Sequence, residues 1–282
     1  MGKYDNREIF KDTERLIKTN SKLQNLVRSS IEKQELILEN DNVSVGLLEK
    51  YESDAKVIVS KKRSFEAALA YRNMKIAVHN FASASNPGGG VVHGANAQEE
   101  CLCRCSGLYF ILNTPIMRKG FYEPHKRAHN PIHNDDIIYT PEVTVFKSDT
   151  ASPTLLDEKD WYDVDVITCA APNLRENPSN KYNQGDGNKR VKLSDKELLQ
   201  IHEKRLKRIL DVAVSKGDEV IILGAFGCGA FMNKTEIVAL AAKNVVKEYL
   251  KAFKVVEFAV YCSPRDDENY KTFDRVLSPL IQ

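Results

Sequence analysis

Apolar positions between Asn6 and Asn40 recur at helical spacing: Ile9, Leu16, Ile17, Leu23, Leu26, Val27, Ile31 and Leu36 form a stripe with charges between them. This predicts an amphipathic appendage of one or two helices. Residues 1–45 are therefore read as an N-terminal helical extension that caps a main domain of residues 46–282. Past the extension the period changes. Val57-Ile58-Val59, Lys75–Phe81, Val143–Phe146, Val164–Thr168, Glu219–Gly224 and Val255–Tyr261 are short runs of strand type. Helical segments lie between them: Phe65–Ala70 capped by Ser64, Gln98–Leu112, Asp195–Lys216 opened by Ser194, and Lys234–Leu250. Strands alternating with helices predict a three-layer α/β/α fold around a mixed, largely parallel sheet. Two stretches lack a period. Lys119–Pro141 holds three prolines and three histidines and reads as a long ordered loop; Asn177–Arg190 is polar and glycine-containing and reads as a mobile surface insertion.

Composition narrows the classes. With 42% hydrophobic residues in 282, the chain has enough apolar surface to offset chain entropy, which excludes a disordered protein. Lys and Arg number 41 against 39 Asp and Glu, so no strongly basic footprint for duplex nucleic acid is expected. No apolar run approaches the ~18 residues that cross a bilayer, so no membrane partner is expected. The N-terminus lacks the apolar stretch of a secretory signal. The six cysteines, Cys101, Cys103, Cys105, Cys169, Cys228 and Cys262, do not read as a disulfide framework in a chain of this length. A reduced, cytoplasmic monomer is the expectation.

Two loops carry candidate chemistry. Asn86-Pro87-Gly88-Gly89-Gly90 follows a buried strand and is separated by seven residues from Gln98-Glu99-Glu100, which opens a helix. Ligands of open α/β sheets bind outside the carboxyl ends of strands, where this loop lies, and consecutive glycines let backbone N–H groups approach a ligand closely. A pair of glutamates in a first helical turn also suits the helix dipole without any ligand. The second loop, Gly224-Ala225-Phe226-Gly227-Cys228-Gly229-Ala230-Phe231, follows the most hydrophobic strand. It matches neither the dinucleotide nor the P-loop fingerprint. It offers successive backbone N–H groups beside a helix N-terminus, suited to a diphosphate; the plainer reading is a tight turn with two core phenylalanines. Taken together, one loop brings carboxylates and the other amides and rings, a division that fits a nucleotide diphosphate bearing a reactive sugar.

The triple glycine, the spacer and Gln98-Glu99-Glu100 resemble the glycine-rich and Gln-Glu-Glu motif of poly(ADP-ribose) glycohydrolases, and Gly224–Phe231 resembles the diphosphate loop of that family. Ile138-Tyr139-Thr140-Pro141, Val143–Phe146 and Thr168–Asn173 resemble segments of its bacterial-type branch, and the likeness runs from roughly Asp54 to Pro264. The resemblance implies a macrodomain fold, ADP-ribose or poly(ADP-ribose) on modified proteins as substrate, and neither a metal nor an organic cofactor. It implies that Glu100 is the catalytic acid and base, protonating the leaving ribose oxygen and then activating water. Glu99 and Asn86 would hold ribose hydroxyls, and Gln98 would belong to the substrate-binding set. Gly88, Gly89, Gly90, Gly224, Ala225, Phe226, Gly227, Cys228, Gly229 and Ala230 would cradle the diphosphate, and Phe231 would orient the terminal ribose. Two alternatives remain open: a hydrolase of mono-ADP-ribose, and a binding module without catalysis.

Adjacent helical residues diverge by ~100°, so Glu99 and Glu100 are not expected to form the opposed pair of ordinary glycosidases. Acid function at neutral pH calls for a raised Glu100 pKa. Three other signals have plainer readings. His125, His129 and His133 have metal-binding spacing, but Pro124 and Pro131 argue against a helix there. Cys101, Cys103 and Cys105 point in different directions on a helix and read as small buried hydrophobes, while Cys228 sits where a helix N-terminus could lower its pKa. His93 lies in the first loop, and His202–Arg208 reads as a solvated helix face.

Overall fold

The predicted strands form one seven-stranded sheet: β1 (Glu35–Ile37), β2 (Lys56–Ser60), β3 (Ile76–Phe81), β4 (Ile137–Val145), β5 (Tyr162–Cys169), β6 (Val220–Leu223) and β7 (Val255–Ala259). Their order is β1-β4-β5-β3-β6-β7-β2; β1 with β4 and β4 with β5 pair antiparallel, and the rest pair parallel. The computed structural model describes residues 2–180, 185–263 and 266–281. Alternation along the strands builds the layers. Ile76, Ala77 and Val78 pair with Val220, Ile221 and Ile222. Ala77 and Ile221 face α8 (Asp195–Lys216), α9 (Thr235–Val246) and α10 (Glu268–Leu277), against Leu210, Ala239 and Phe273. Ile76, Val78, Val220 and Ile222 face the other way, against Phe65 of α3 (Ser64–Ala68), Leu102 of α4 (Gln98–Cys105) and Ile111 of α5 (Leu108–Leu112). The three-layer α/β/α expectation is thus met.

Several local expectations need correction. The extension holds two helices, α1 (Lys3–Thr19) and α2 (Ser21–Lys33), joined at Asn20, whose side chain accepts from Lys22 N and Leu23 N. The helical pattern does not reach Asn40. Glu35–Ile37 becomes β1 because the edge of β4 offers an unpaired ladder, and Leu36 fits against Gly120, which leaves no room for a Cβ there. The helix read over Gln98–Leu112 breaks at Ser106-Gly107: Ser106 bridges to Val145, and α2 packs so closely that a Cβ on Gly107 would stand 2.6 Å from Val27 Cγ2. Ser64 does not cap α3. Arg63 occupies that position, its N–H bonded to Glu66 Oε2 at 3.1 Å, and Ser64 Oγ accepts from Gln98 Nε2 instead. Lys119–Pro141 is not a loop throughout. It follows α6 (Pro115–Met117), makes a π-turn to Tyr122 and continues as α7 (Glu123–Ala128), with Pro124 directly after the π-turn, a usual place for a proline within a helical run.

The face His202–Arg208 is only partly solvated. His202 and Arg205 are each 2% exposed. Arg205 donates from Nε to Asp135 Oδ1 at 2.9 Å and from Nη1 to Ala170 O at 2.7 Å and Ile132 O at 3.3 Å. Burial works against ionisation of Asp135, but the charges of Arg205 and Lys204 hold its carboxyl below the usual range. A cation drawn into the protein in this way clamps the segment that leaves β5. β2, β3, β5, β6 and β7 all end at one rim of the sheet, where the two glycine loops emerge. Arg205→Met is expected to lower the unfolding free energy by about 3 kcal/mol, because buried Asp135 loses its buried cation and keeps only the exposed Lys204; urea titration followed by circular dichroism measures it.

Candidate active site

At the end of β3 the chain turns through Ser83–Gly90, the turn being closed by Gly89 N–H to Asn86 O at 3.0 Å and Val91 N–H to Gly88 O at 3.1 Å. Gln98 fastens the following helix to this strand end. Its Oε1 accepts from Phe81 N at 2.9 Å, and its Nε2 donates to His79 O at 2.8 Å. α4 therefore starts beside the glycines and delivers both glutamates into the turn. Glu100 Oε1 accepts from Gly90 N and Oε2 from Ala97 N, both at 2.9 Å. Glu99 Oε2 accepts from Ser83 N at 2.8 Å and Oε1 from Asn80 Nδ2 at 3.3 Å.

The two carboxyls approach each other more closely than the helical angle predicts. Gly89 has φ +57°, and a Cβ built on it would stand 2.6 Å from Glu100 Oε1 and 3.1 Å from Glu99 Oε2. Both side chains bend around the space a larger residue would fill. Glu99 is 2% exposed and Glu100 7%. Burial, then the neighbouring Glu100 charge, pushes Glu99 up to about 8 against the N–H donors around it. Burial thus keeps Glu99 as a raised carboxyl at the floor of the cleft.

The loop after β6 forms the facing wall. Phe226 is buried with its ring against His79 at 4.4 Å and Phe81 at 5.6 Å, while Phe231 is half-buried. A cavity of ≈ 700 Å³ lies between the walls. Of the residues predicted from sequence, Gly89, Gly90, Gln98, Glu99, Glu100, Ala225, Phe226, Gly227, Gly229, Ala230 and Phe231 line it. Asn86, Gly88, Gly224 and Cys228 do not: they shape the walls from behind. Gly224 lies tight against Ala259 O and the Phe81 ring. Burial pushes the Cys228 thiol up to about 12, the reverse of the lowering expected beside a helix N-terminus.

Sequence reasoning missed a third part of the lining. Arg63, Ser64, Asp149, Tyr261 and Asn269 surround one end, and Ala171, Arg175 and Asn180 another. The Arg63 guanidinium stacks 4.0 Å over the Tyr261 ring and its Nη1 donates to Cys101 Sγ. Asp149 is pushed up to about 6 by burial, against the Arg63 charge and the Phe65 N–H. Arg63 and Ser64 follow β2, and Tyr261 follows β7. The rule that ligands sit beyond strand ends could have found them.

The insertion Asn177–Arg190 includes residues 181–184, which lie outside the described residues. Its described part is anchored, since buried Asp186 accepts from Asn173 Nδ2 at 2.7 Å and lies 3.1 Å from His133 Nε2. Cys101, Cys103 and Cys105 are buried and unpaired. Among the described residues no group of three His, Cys, Asp or Glu could hold a metal. His125 bonds Phe121 O and Asn134 Oδ1, and His93 is exposed and away from the cavity lining.

With this geometry in view, comparison with known proteins is direct. The model of the microbial-type poly(ADP-ribose) glycohydrolase catalytic domain matches residues 8–148, half of the chain. No curated protein matches. Among solved structures, poly(ADP-ribose) glycohydrolase from Thermomonospora curvata aligns with a TM-score of 0.83 at 27% identity, over 97% of this chain and 99% of that one. The same enzyme bound to the inhibitor ADP-HPD gives a TM-score of 0.80 at 27% identity, over 96% and 99%. The Deinococcus radiodurans enzyme in complex with ADP-ribose gives 0.75 at 30% identity, over 90% and 98%. The glycine turn, the paired glutamates and these matches lead to one assignment: the chain belongs to the microbial-type poly(ADP-ribose) glycohydrolases.

Proposed function

We propose that this protein hydrolyses poly(ADP-ribose), cutting the ribose–ribose O-glycosidic bond and releasing ADP-ribose from the chain end, with Glu100 as general acid and base. The observation that carries the reading is convergence. Two backbone-rich loops and the Glu100 carboxyl share one cavity of a size suited to a single nucleotide-sugar unit.

The chain's own groups supply the steps. The Gly90 and Ala97 N–H groups fix the Glu100 carboxyl and leave its remaining lone pairs toward the cavity. Glu100 protonates the leaving ribose oxygen as the sugar gains oxocarbenium character, then takes a proton from water attacking the same carbon. Glu99, holding its proton near neutral pH, donates to or accepts from ribose hydroxyls. The substrate diphosphate, held by backbone N–H groups at 225–231, lies near the developing cation and stabilises it. A pure binding module would need the diphosphate loop alone. Two desolvated carboxyls are costly to bury, and Glu100 has no part in gripping the diphosphate, which favours an enzyme.

Four outcomes test this. Glu100→Gln is expected to lose at least ~10²-fold in turnover of poly(ADP-ribose) while still binding ADP-ribose by calorimetry; near-normal hydrolysis would remove Glu100 from its role. If free ADP-ribose arose only from mono-modified protein, the substrate would be mono-ADP-ribose, and early release of oligomers would contradict action from the chain end. Gly89→Ala places a Cβ against both carboxyls, and ~10²-fold loss of kcat is expected from displacement of Glu100. The fourth outcome concerns pH. The Glu99 folded pKa, about 8, lies above its ordinary 4.5, so the associated stability is complete below pH 4.5 and disappears as pH rises through about 8. The Tm of Glu99→Gln relative to wild type is therefore expected to improve steadily from pH 5 to pH 9.

A further inference from the structure

Behind the second loop, outside the cavity lining, sits Asn233, 4% exposed. Its Nδ2 lies 2.7 Å from Pro172 O, 3.1 Å from Gly227 O and 3.3 Å from Phe231 O, and its main-chain N–H donates to Gly227 O at 3.0 Å. Pro172 belongs to the segment leaving β5, and Gly227 and Phe231 belong to the loop leaving β6. One side-chain amide thus joins the segment leaving β5 to the loop leaving β6, and Leu174 N–H to Phe231 O at 2.9 Å extends the seam. The fit is close: Gly227 has φ +78°, and a Cβ there would stand 2.7 Å from Asn233 Nδ2 and 2.7 Å from Ala171 Cβ.

The other end of the amide is fixed as firmly. His202 Nε2 donates to Asn233 Oδ1 at 2.8 Å. Because the amide nitrogen already faces three carbonyls, the oxygen must face His202, and the ring proton must sit on Nε2. Burial pushes His202 down to about 4, so at neutral pH the ring carries one proton, and that proton is committed to Asn233. The same ring stands edge-on to Phe226, with centroids 5.7 Å apart, and so supports a cavity-lining side chain as well.

We propose that Asn233, oriented by His202, is the positioning residue of the diphosphate loop. It sets the separation between the backbone of Gly227–Phe231 and the wall at Ala171–Arg175, and hence the spacing at which a diphosphate is gripped. It touches no reacting atom. The proposal rests on the reading of this loop as the diphosphate site.

The test compares His202→Gln, whose amide nitrogen reaches the place of Nε2 and keeps a donor, with His202→Met, which fills similar space without one. His202→Met is expected to raise the Kd for ADP-ribose and the KM for poly(ADP-ribose) about 10-fold or more, through loss of a buried hydrogen bond. Its kcat should stay within about 3-fold of wild type, the split expected when binding alone is impaired. His202→Gln should restore Kd and KM to within about 3-fold of wild type. Wild-type Kd and KM in His202→Met, or equal losses in both variants, would overturn the proposal. A wild-type protein that binds no ADP-ribose would instead overturn the functional reading. Should His202→Met unfold under assay conditions, the wild-type protein decides: the Asn233 side-chain N–H resonances are expected to exchange slowly and to shift on ADP-ribose titration, and unshifted resonances would refute the role.

Discussion

The site depends on a missing side chain. Gly89 leaves a gap into which two buried carboxyls can extend, and its left-handed turn aims the next N–H at Glu100. Filling that gap would push Glu100 away from Gly90 or force the turn open. The other features of the first wall serve this contact. Gln98 ties α4 to the end of β3, Asn80 and the Ser83 N–H compensate Glu99, and the Ala97 N–H completes the hold on Glu100. Burying two acids side by side is unfavourable, and the structure offsets that with backbone donors and with the raised pKa of Glu99.

The second wall follows another logic. It carries no acid, and its stiffness comes from polar groups hidden behind it. Arg205 holds Ala170 and Ile132, Asn233 holds Pro172, Gly227 and Phe231, and His202 holds Asn233. Both His202 and Arg205 come from α8, so one helix sets the position of the wall that faces the glutamates. A loop made mostly of glycine and alanine would otherwise be free to change shape; here its geometry is set by bonds from outside the loop.

The sequence showed those parts that depend on local chemistry. The core strands, α8 with its Ser194 cap, the two glycine loops and the glutamate pair follow from period, capping residues and spacing. What escaped depends on distant partners. Glu35–Ile37 looks helical until β4 supplies a ladder, and the Gln98–Leu112 pattern runs on until Val27 and Val145 demand a break. His202 and Arg205 look like surface charges because nothing local announces Asn233, 31 positions further on, or Asp135, 70 positions earlier. Arg63 and Tyr261 meet only because β2 and β7 are neighbours in the sheet. The direction of each glutamate was legible, but the convergence of their tips on Gly89 was not, because it depends on side-chain length and on space.

The placement of β1 also bears on biosynthesis. Its partner Ile137–Tyr139 leaves the ribosome about a hundred residues after Glu35–Ile37, and the α1 residue Asp12 pairs with buried Lys147, further along still. The α1–α2 segment is therefore made well before some of the partners it docks on. Until residues 91–112 and then β4 emerge, part of the apolar stripe of α1 and α2 is uncovered. Their polar face carries the pairs Glu8–Lys11, Asp12–Arg15 and Glu14–Lys18, and surface charge of this kind opposes association through the apolar face.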